Sequence, residues 1–292
     1  MTVCLAAMNK KHNIVAFGSD RMVTSSYPPI EFEHKIPKII EINEYCVVLS
    51  AGDALRCKAL CDDARAELSG KRASIKQIAN TINRFYQQNR LKAIEDTFLL
   101  SRGLTHEKFI KDGGKILPVQ IYQMIDQIMA TFNFSLDLVV AGLDGQGPTI
   151  YGIRNPGVID CYDSIGFHTI GNGSMHGMLS LVDTYDPNSG KAEMLYSVLR
   201  AKKVAEVAPG VGKNTDLGMI SSEEKIKYFD ENTDLFRQMN ELLEKERTQR
   251  KSLIAESKLV TMDTSEVGEK SLGKVDNVVE AVTKTDPGGG VK

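Results

Sequence analysis

The sequence predicts an α+β protein, a four-layer α-β-β-α sandwich of two antiparallel sheets. Three observations lead there. Strand-like runs crowd the first fifty of 292 residues. Helix-period runs follow to about residue 132, and then strands, two helices and a last strand complete the order. Strands grouped in runs, with helices grouped between them, argue for separate antiparallel sheets covered by helices, because a parallel sheet would alternate β and α one by one.

Thr2-Val3-Cys4-Leu5-Ala6 is β-prone from the second residue on, where most chains carry a frayed polar end. Asn9-Lys10-Lys11-His12-Asn13 reads as a hairpin turn and Ile14-Val15-Ala16-Phe17-Gly18 as the returning strand. Ser19-Asp20-Arg21 reads as a polar break and Tyr27-Pro28-Pro29 as a turn. Lys38-Ile39-Ile40-Glu41-Ile42 and Tyr45-Cys46-Val47-Val48-Leu49-Ser50 are two more strands about an Asn43-Glu44 turn, so this region reads as a four-stranded meander ended by Gly52-Asp53. Leu55, Leu60, Ala64 and Leu68 mark a helix over 54–68, and Ile75, Ile78, Ile82 and Phe85 a second from Ser74 toward Leu100. Residues 101–117 are polar and contain Gly113-Gly114, which predicts a loop or lid. Ile121, Met124, Ile125, Ile128 and Met129 predict a helix from Pro118 to Phe132.

Strands resume over 136–141, 149–153, 157–161 and 167–170, the last ending in Gly171-Asn172-Gly173-Ser174. Helices over 174–186 and 190–206 and a strand near 216–220 complete a domain over residues 1–220. Residues 221–258 are charged, with thin apolar support at Ile226, Phe229, Leu235, Met239, Leu242 and Leu243, and read as an amphipathic helix. Residues 259–292 end in Asp286-Pro287-Gly288-Gly289-Gly290 and read as a disordered tail.

Hydrophobic residues make up 42% and charged residues 25% of the chain, ordinary for a soluble globular protein. A net charge of −2 gives no electrostatic case for nucleic acid or an anionic membrane. No apolar run approaches the ~20 residues of a membrane span. The N-terminus lacks the basic-then-apolar layout of a secretory signal, so a cytoplasmic protein is expected. Five cysteines in a chain this long do not suggest a disulfide framework. Cys57 and Cys61 share a helix face but no second pair follows, and the five histidines form no HExxH, so no metal and no cofactor is expected. Gly171-Asn172-Gly173 lacks the rest of GxGxxG, and the acidic neighbours of Arg247-Thr248-Gln249-Arg250-Lys251 offset its charge.

Chemistry enters at Thr2. An initiator methionine before a small residue is commonly removed, which would leave Thr2 first. A free N-terminal threonine carries a hydroxyl nucleophile and an amine base on adjacent carbons. The amine, with an ordinary pKa of about 7.7–8.0, is partly neutral near neutrality and can take the hydroxyl proton directly or through a water.

Several linked stretches resemble proteasome-type N-terminal-nucleophile hydrolases. Thr2-Val3 leads a strand, and Ile14-Val15-Ala16-Phe17-Gly18-Ser19-Asp20-Arg21 resembles the family's second strand with its Asp-Ser-Arg-like turn. Pro37-Lys38-Ile39-Ile40-Glu41-Ile42 resembles its lysine-bearing strand, and Val47-Val48-Leu49-Ser50-Ala51-Gly52 the strand before its first long helix. Asp137-Leu138-Val139-Val140-Ala141-Gly142 and Ile170-Gly171-Asn172-Gly173-Ser174 resemble its second-half strand and Gly-Ser-Gly turn. The resemblance spans about residues 2–220 and not the tail. It implies Thr2 as nucleophile, Lys38 as the ammonium beside it, Asp20 as the carboxylate orienting Lys38, and the Gly52 N–H as oxyanion donor.

The sequence also departs from the family. Asn172 stands where active members often have serine, near Ser174. The Asp-and-Ser pair before the last strand is missing from 206–214, where Glu206 is the substitute considered. By the same resemblance Ile36, Ile40, Ser50 and Ala54 would line a mainly apolar pocket beside the nucleophile, suited to a hydrophobic residue before the scissile bond. Three functions follow: a threonine peptidase acting on peptides or proteins, an amidohydrolase or acyl transferase acting on another amide, or a non-catalytic assembly subunit. The resemblance further implies a homo-oligomer, which the charged helix would cap or tether.

Overall fold

Among the described residues of the first 52, six strands, not four, are formed, and they divide among three sheets rather than forming one meander. The computed structural model describes residues 2–26, 29–33 and 38–256. The turn expected at Tyr27-Pro28 and the tail over 259–292 lie outside the described residues.

In chain order the elements are β1 (Cys4–Asn9), β2 (Ile14–Asp20), β3 (Met22–Ser26), β4 (Pro29–Glu33), β5 (Ile39–Asn43), β6 (Cys46–Gly52), α1 (Ala54–Leu68), α2 (Ile75–Ile94), α3 (His106–Ile116) and α4 (Val119–Thr131). The second half holds β7 (Leu136–Asp144), β8 (Gly147–Arg154), β9 (Val158–Cys161), β10 (Phe167–Ile170), α5 (Ser174–Thr184), α6 (Lys191–Ala205), β11 (Thr215–Ser221), β12 (Lys225–Phe229) and α7 (Asp234–Glu256). The chain forms two compact units, Met1–Met239 and Asn240–Lys292. Among the described residues no helix is long and apolar enough to cross a membrane.

The α+β class holds, and every strand pairing is antiparallel. One five-stranded sheet runs β10-β1-β2-β11-β12, the other β5-β6-β7-β8-β9, and β3-β4 is a separate hairpin. One face of the first sheet (Cys4, Ala6, Met8, Val15, Phe17) shares a core with one face of the second (Ile39, Val47, Leu49, Val139, Ala141). The opposite face of the second sheet (Ile40, Ile42, Val48, Leu138, Val140) packs on Cys57, Leu60 and Cys61 of α1 and Ile78, Ile82 and Tyr86 of α2. α6 lies along β1 and β2 of the first sheet. β1 is thus covered on both faces, which is why its sequence is a continuous small-apolar run instead of an alternating one.

Three expectations are corrected. The 101–117 stretch is not a loop: Thr105 caps α3 by accepting from the Lys108 N–H at 3.2 Å, and the Tyr122 ring lies where a side chain at Gly113 would go. Phe109 stacks on Tyr122 at 4.8 Å, and both belong to an apolar cluster with Ile94, Leu99, Leu104 and Ile125. The helix expected from 221 starts only at Asp234, because Lys225–Phe229 turns back to pair with β11 as an edge strand. Its lysines stand on the solvent side, a usual protection for a sheet edge. The hairpin β3-β4 was not predicted because its large apolar residues Ile30 and Phe32 face solvent.

Candidate active site

The site is assembled where the first strand begins. The β1–β2 register sets Cys4 opposite Ser19, and the Asp20 N–H donates to the Val3 carbonyl at 3.2 Å, so Thr2 and Asp20 lie side by side at one end of the first sheet. Lys38 enters from the other sheet, at the start of β5, where its carbonyl accepts from the Ser50 N–H at 2.9 Å.

The Asp20 carboxylate is wholly buried and receives five donors. Oδ1 accepts from the Thr2 hydroxyl (2.7 Å), the Val3 N–H (2.9 Å) and Lys38 Nζ (2.8 Å). Oδ2 accepts from the N–H groups of Met22 and Gly212, each at 2.9 Å. Lys38 Nζ also donates to Thr2 Oγ1. Burial alone would raise the Asp20 carboxyl, but the Lys38 charge, with hydrogen bonds from Lys38, Gly212 and Thr2, outweighs it and holds the group below the ordinary carboxylate value. The arrangement therefore keeps a charged pair, nearly free of water, in contact with one hydroxyl. It can stabilise negative charge on Thr2 Oγ1, while the low-lying Asp20 is a poor base for that proton.

A second element fixes Thr2 from behind. The Gly173 N–H donates to the Thr2 carbonyl at 3.2 Å. Gly171 sits at φ +89°, and a side chain there would strike the Thr2 carbonyl oxygen and come within 2.8 Å of Thr2 Cγ2. Only glycine allows that approach.

The remaining predicted residues stand as follows. Gly52 ends β6 at φ +118°, exposed, where an added Cβ would strike the Ser135 carbonyl, and Asp53 after it caps α1 by accepting from the Leu55 and Arg56 N–H groups at 3.0 and 3.1 Å. It makes none of the hydrogen bonds of the Thr2 cluster. Asn172 is exposed on the turn beside Thr2, and the Ser174 N–H donates to the Gly171 carbonyl at 3.0 Å. Ile40 belongs to the core under α1 and α2, so its side chain fills that core and lines no open pocket. Ser50 is buried opposite Lys38, Ala54 is half-buried at the start of α1, and Ile36 lies outside the described residues.

Glu206 is not at Thr2. It accepts from Lys202 Nζ at 2.6 Å, and the same Nζ donates to the carbonyls of Gly212 (2.9 Å) and Lys213 (2.8 Å). Lys202 is completely buried; burial lowers its amine to about 8 against the opposing pull of Glu206. Lys202 thus holds the loop whose Gly212 N–H reaches Asp20. Sequence reasoning missed Lys202, since a lysine four residues before a glutamate has the spacing of a solvated helix face.

Among the described residues no group of three or more His, Cys, Asp or Glu side chains is placed to hold a metal. Cys57 and Cys61 are buried with their sulfurs 3.9 Å apart. No protein-family model matches the chain. No curated protein matches it significantly.

Proposed function

We propose that the chain is an N-terminal threonine hydrolase of the proteasome-like class, a peptidase whose two sheets and flanking helices form the four-layer α-β-β-α sandwich of that class. The observation that carries the reading is the convergence of Thr2 Oγ1, Lys38 Nζ and Asp20 Oδ1 in one buried cluster. Three residues chosen by their likeness to a nucleophile, its ammonium and its carboxylate meet at hydrogen-bond distance.

In this reading the chain acts with Thr2 as its first residue. The neutral α-amine takes the hydroxyl proton, and Oγ1 attacks the amide carbon while Lys38 offsets the growing charge. The tetrahedral oxyanion is met by the Gly52 N–H. The amine returns the proton to the leaving nitrogen as the C–N bond breaks, leaving an ester on Oγ1. A water, deprotonated by the same amine, attacks the ester, and Oγ1 departs with the proton. An amidohydrolase or acyl transferase shares every step up to the ester and differs only in substrate or acceptor.

The exposed apolar row Met175, Leu179 and Val182 on α5 supports a homo-oligomer, since such rows mark interaction surfaces. The free cysteines support a reducing, cytoplasmic setting. A second reading, a non-catalytic assembly subunit, is favoured by one observation: Glu206 is engaged by Lys202 and not by Thr2. Intact mass before and after a threonine-directed epoxyketone decides. A chain starting at Thr2 that gains one adduct, lost in Thr2→Ala, supports the hydrolase. A chain from its native host that retains Met1 overturns it and leaves the assembly subunit.

A further inference from the structure

A cavity of about 340 Å³ lies on the far side of the turn that abuts Thr2. Its walls include Asp137, Arg154, Asp160, Tyr162, His168 and the turn at 171–174. β10 pairs with β1 so that Ile170 faces Cys4, and the chain past Ile170 therefore runs directly alongside Thr2. One glycine, Gly171, separates the Thr2 carbonyl from this space.

The charges on the walls do not cancel. Arg154 pairs with Asp160 at 3.2 Å. Asp137 has no ion pair or side-chain hydrogen bond among the described residues; burial raises its carboxyl above the ordinary value, with the more distant Arg154 charge opposing. The lining therefore holds one carboxyl with no ion-pair partner, whose charged form an incoming cation would favour. The aromatic wall is compatible with one: the Tyr162 and His168 rings stack at 3.7 Å, 20° from parallel. His168 is held neutral, its imidazole lowered to about 4 chiefly by burial, so it adds no opposing charge. Its Nδ1 is buried with no hydrogen-bond partner. Both rings lie close over Gly152, where an added Cβ would meet His168 Nε2 and Tyr162 Cε2, each at 2.9 Å. A fixed aromatic surface beside an unpaired carboxylate suits an alkylammonium or guanidinium, which gains from both.

We propose that this cavity receives the leaving half of the substrate and selects a basic side chain there, with Asp137 as counter-ion and the Tyr162–His168 stack as the shelf beneath it. The assignment to the leaving half rests on the hydrolase reading, in which the acyl half occupies the Lys38–Ser50 side of Thr2; the cation site itself does not.

The test separates the two. The His168 Hε1 resonance is followed in full-length Thr2→Ala protein, which needs no turnover, during titration with N-acetyl-lysine methylamide or its norleucine counterpart. The lysine probe is expected to bind about tenfold more tightly. Asp137→Asn should bring the ratio near one, and Asp137→Glu, which keeps the charge, should preserve it. Equal affinities in the parent, or a lysine preference that survives in Asp137→Asn, overturn the site. In the unsubstituted protein, substrates sharing an acyl half and differing only in lysine or norleucine after the scissile bond are expected to differ about tenfold in kcat/KM. Equal values beside a lysine-selective titration overturn the leaving-half assignment. An absent epoxyketone adduct overturns the hydrolase and that assignment together, and leaves the titration result standing.

Discussion

Thr2 and Lys38 are hydrogen-bonded to each other across two different sheets, and both bind the same oxygen of Asp20. Asp20 is held by these two side chains and by three backbone N–H groups, so removing Thr2 or Lys38 leaves the carboxylate in place but takes away part of what holds the other side chain.

If the proposed hydrolase reading holds, Lys38→Met is expected to reduce hydrolysis by at least about a hundredfold, the scale of losing one electrostatic donor to a reacting oxygen. It also leaves Asp20 buried without its counter-charge, which costs about 3–5 kcal/mol. Steady-state rates with urea unfolding on the same preparation read both effects. A variant that loses stability but retains its rate would remove Lys38 from the chemistry.

Acid should act through Asp20. Its folded value lies below its unfolded value of 3.8, so the unfolded chain binds more protons over that interval and stability falls as pH falls. The Asp20 contribution is complete above about pH 5 and is lost progressively as pH drops through the unfolded value toward the folded one. Asp20→Asn should be less stable than the parent at pH 7, and the gap should narrow below about pH 4. Thermal midpoints from pH 7 to 3 check the sign; a gap that widens in acid contradicts it.

Two glycines should respond in opposite directions. Gly171→Ala places a methyl against the Thr2 carbonyl at a left-handed φ and should cost about 1–3 kcal/mol. Gly114→Ala lies inside α3 with open space around its Cβ and should gain about 0.5–1 kcal/mol of helix propensity. Differential scanning calorimetry of the pair isolates the collision from any general effect of alanine.

Lys202 positions Gly212 through two hydrogen bonds, to the carbonyls of Gly212 and Lys213, and a third bond ties it to Glu206. Lys202→Met keeps the volume and removes them, and kcat should fall at least about tenfold with KM little changed, because the loop reaches Asp20 and not the substrate. A change confined to KM would argue that Lys202 faces the substrate instead.

Much of the fold was legible because burial writes itself into periodicity. α1 and α2 show in Leu60, Ala64, Ile75, Ile78 and Ile82, each buried on one face, and β6 and β7 show as unbroken apolar runs covered on both sides. What failed was structure whose apolar groups face solvent or whose polar groups are buried. Ile30 and Phe32 gave no strand signal, Gly113-Gly114 pointed to a loop, and Lys202 went unremarked inside the helix read over 190–206. At the site, Thr2, Asp20 and Lys38 were legible as residue types in a familiar order. Gly212, Met22 and Val3 were not, since they contribute backbone N–H groups that any residue but proline supplies.

The five donors to Asp20 have a consequence for the timing of synthesis. Four come from residues 2, 3, 22 and 38, but the fifth, Gly212, is 192 residues from Asp20 along the chain. Asp20 leaves the ribosome long before the loop that completes its set of donors. The chain therefore carries its own delay: no fragment short of that loop can hold Asp20 in its final state, and Thr2 and Lys38 gain their completed surroundings only after Gly212 has emerged.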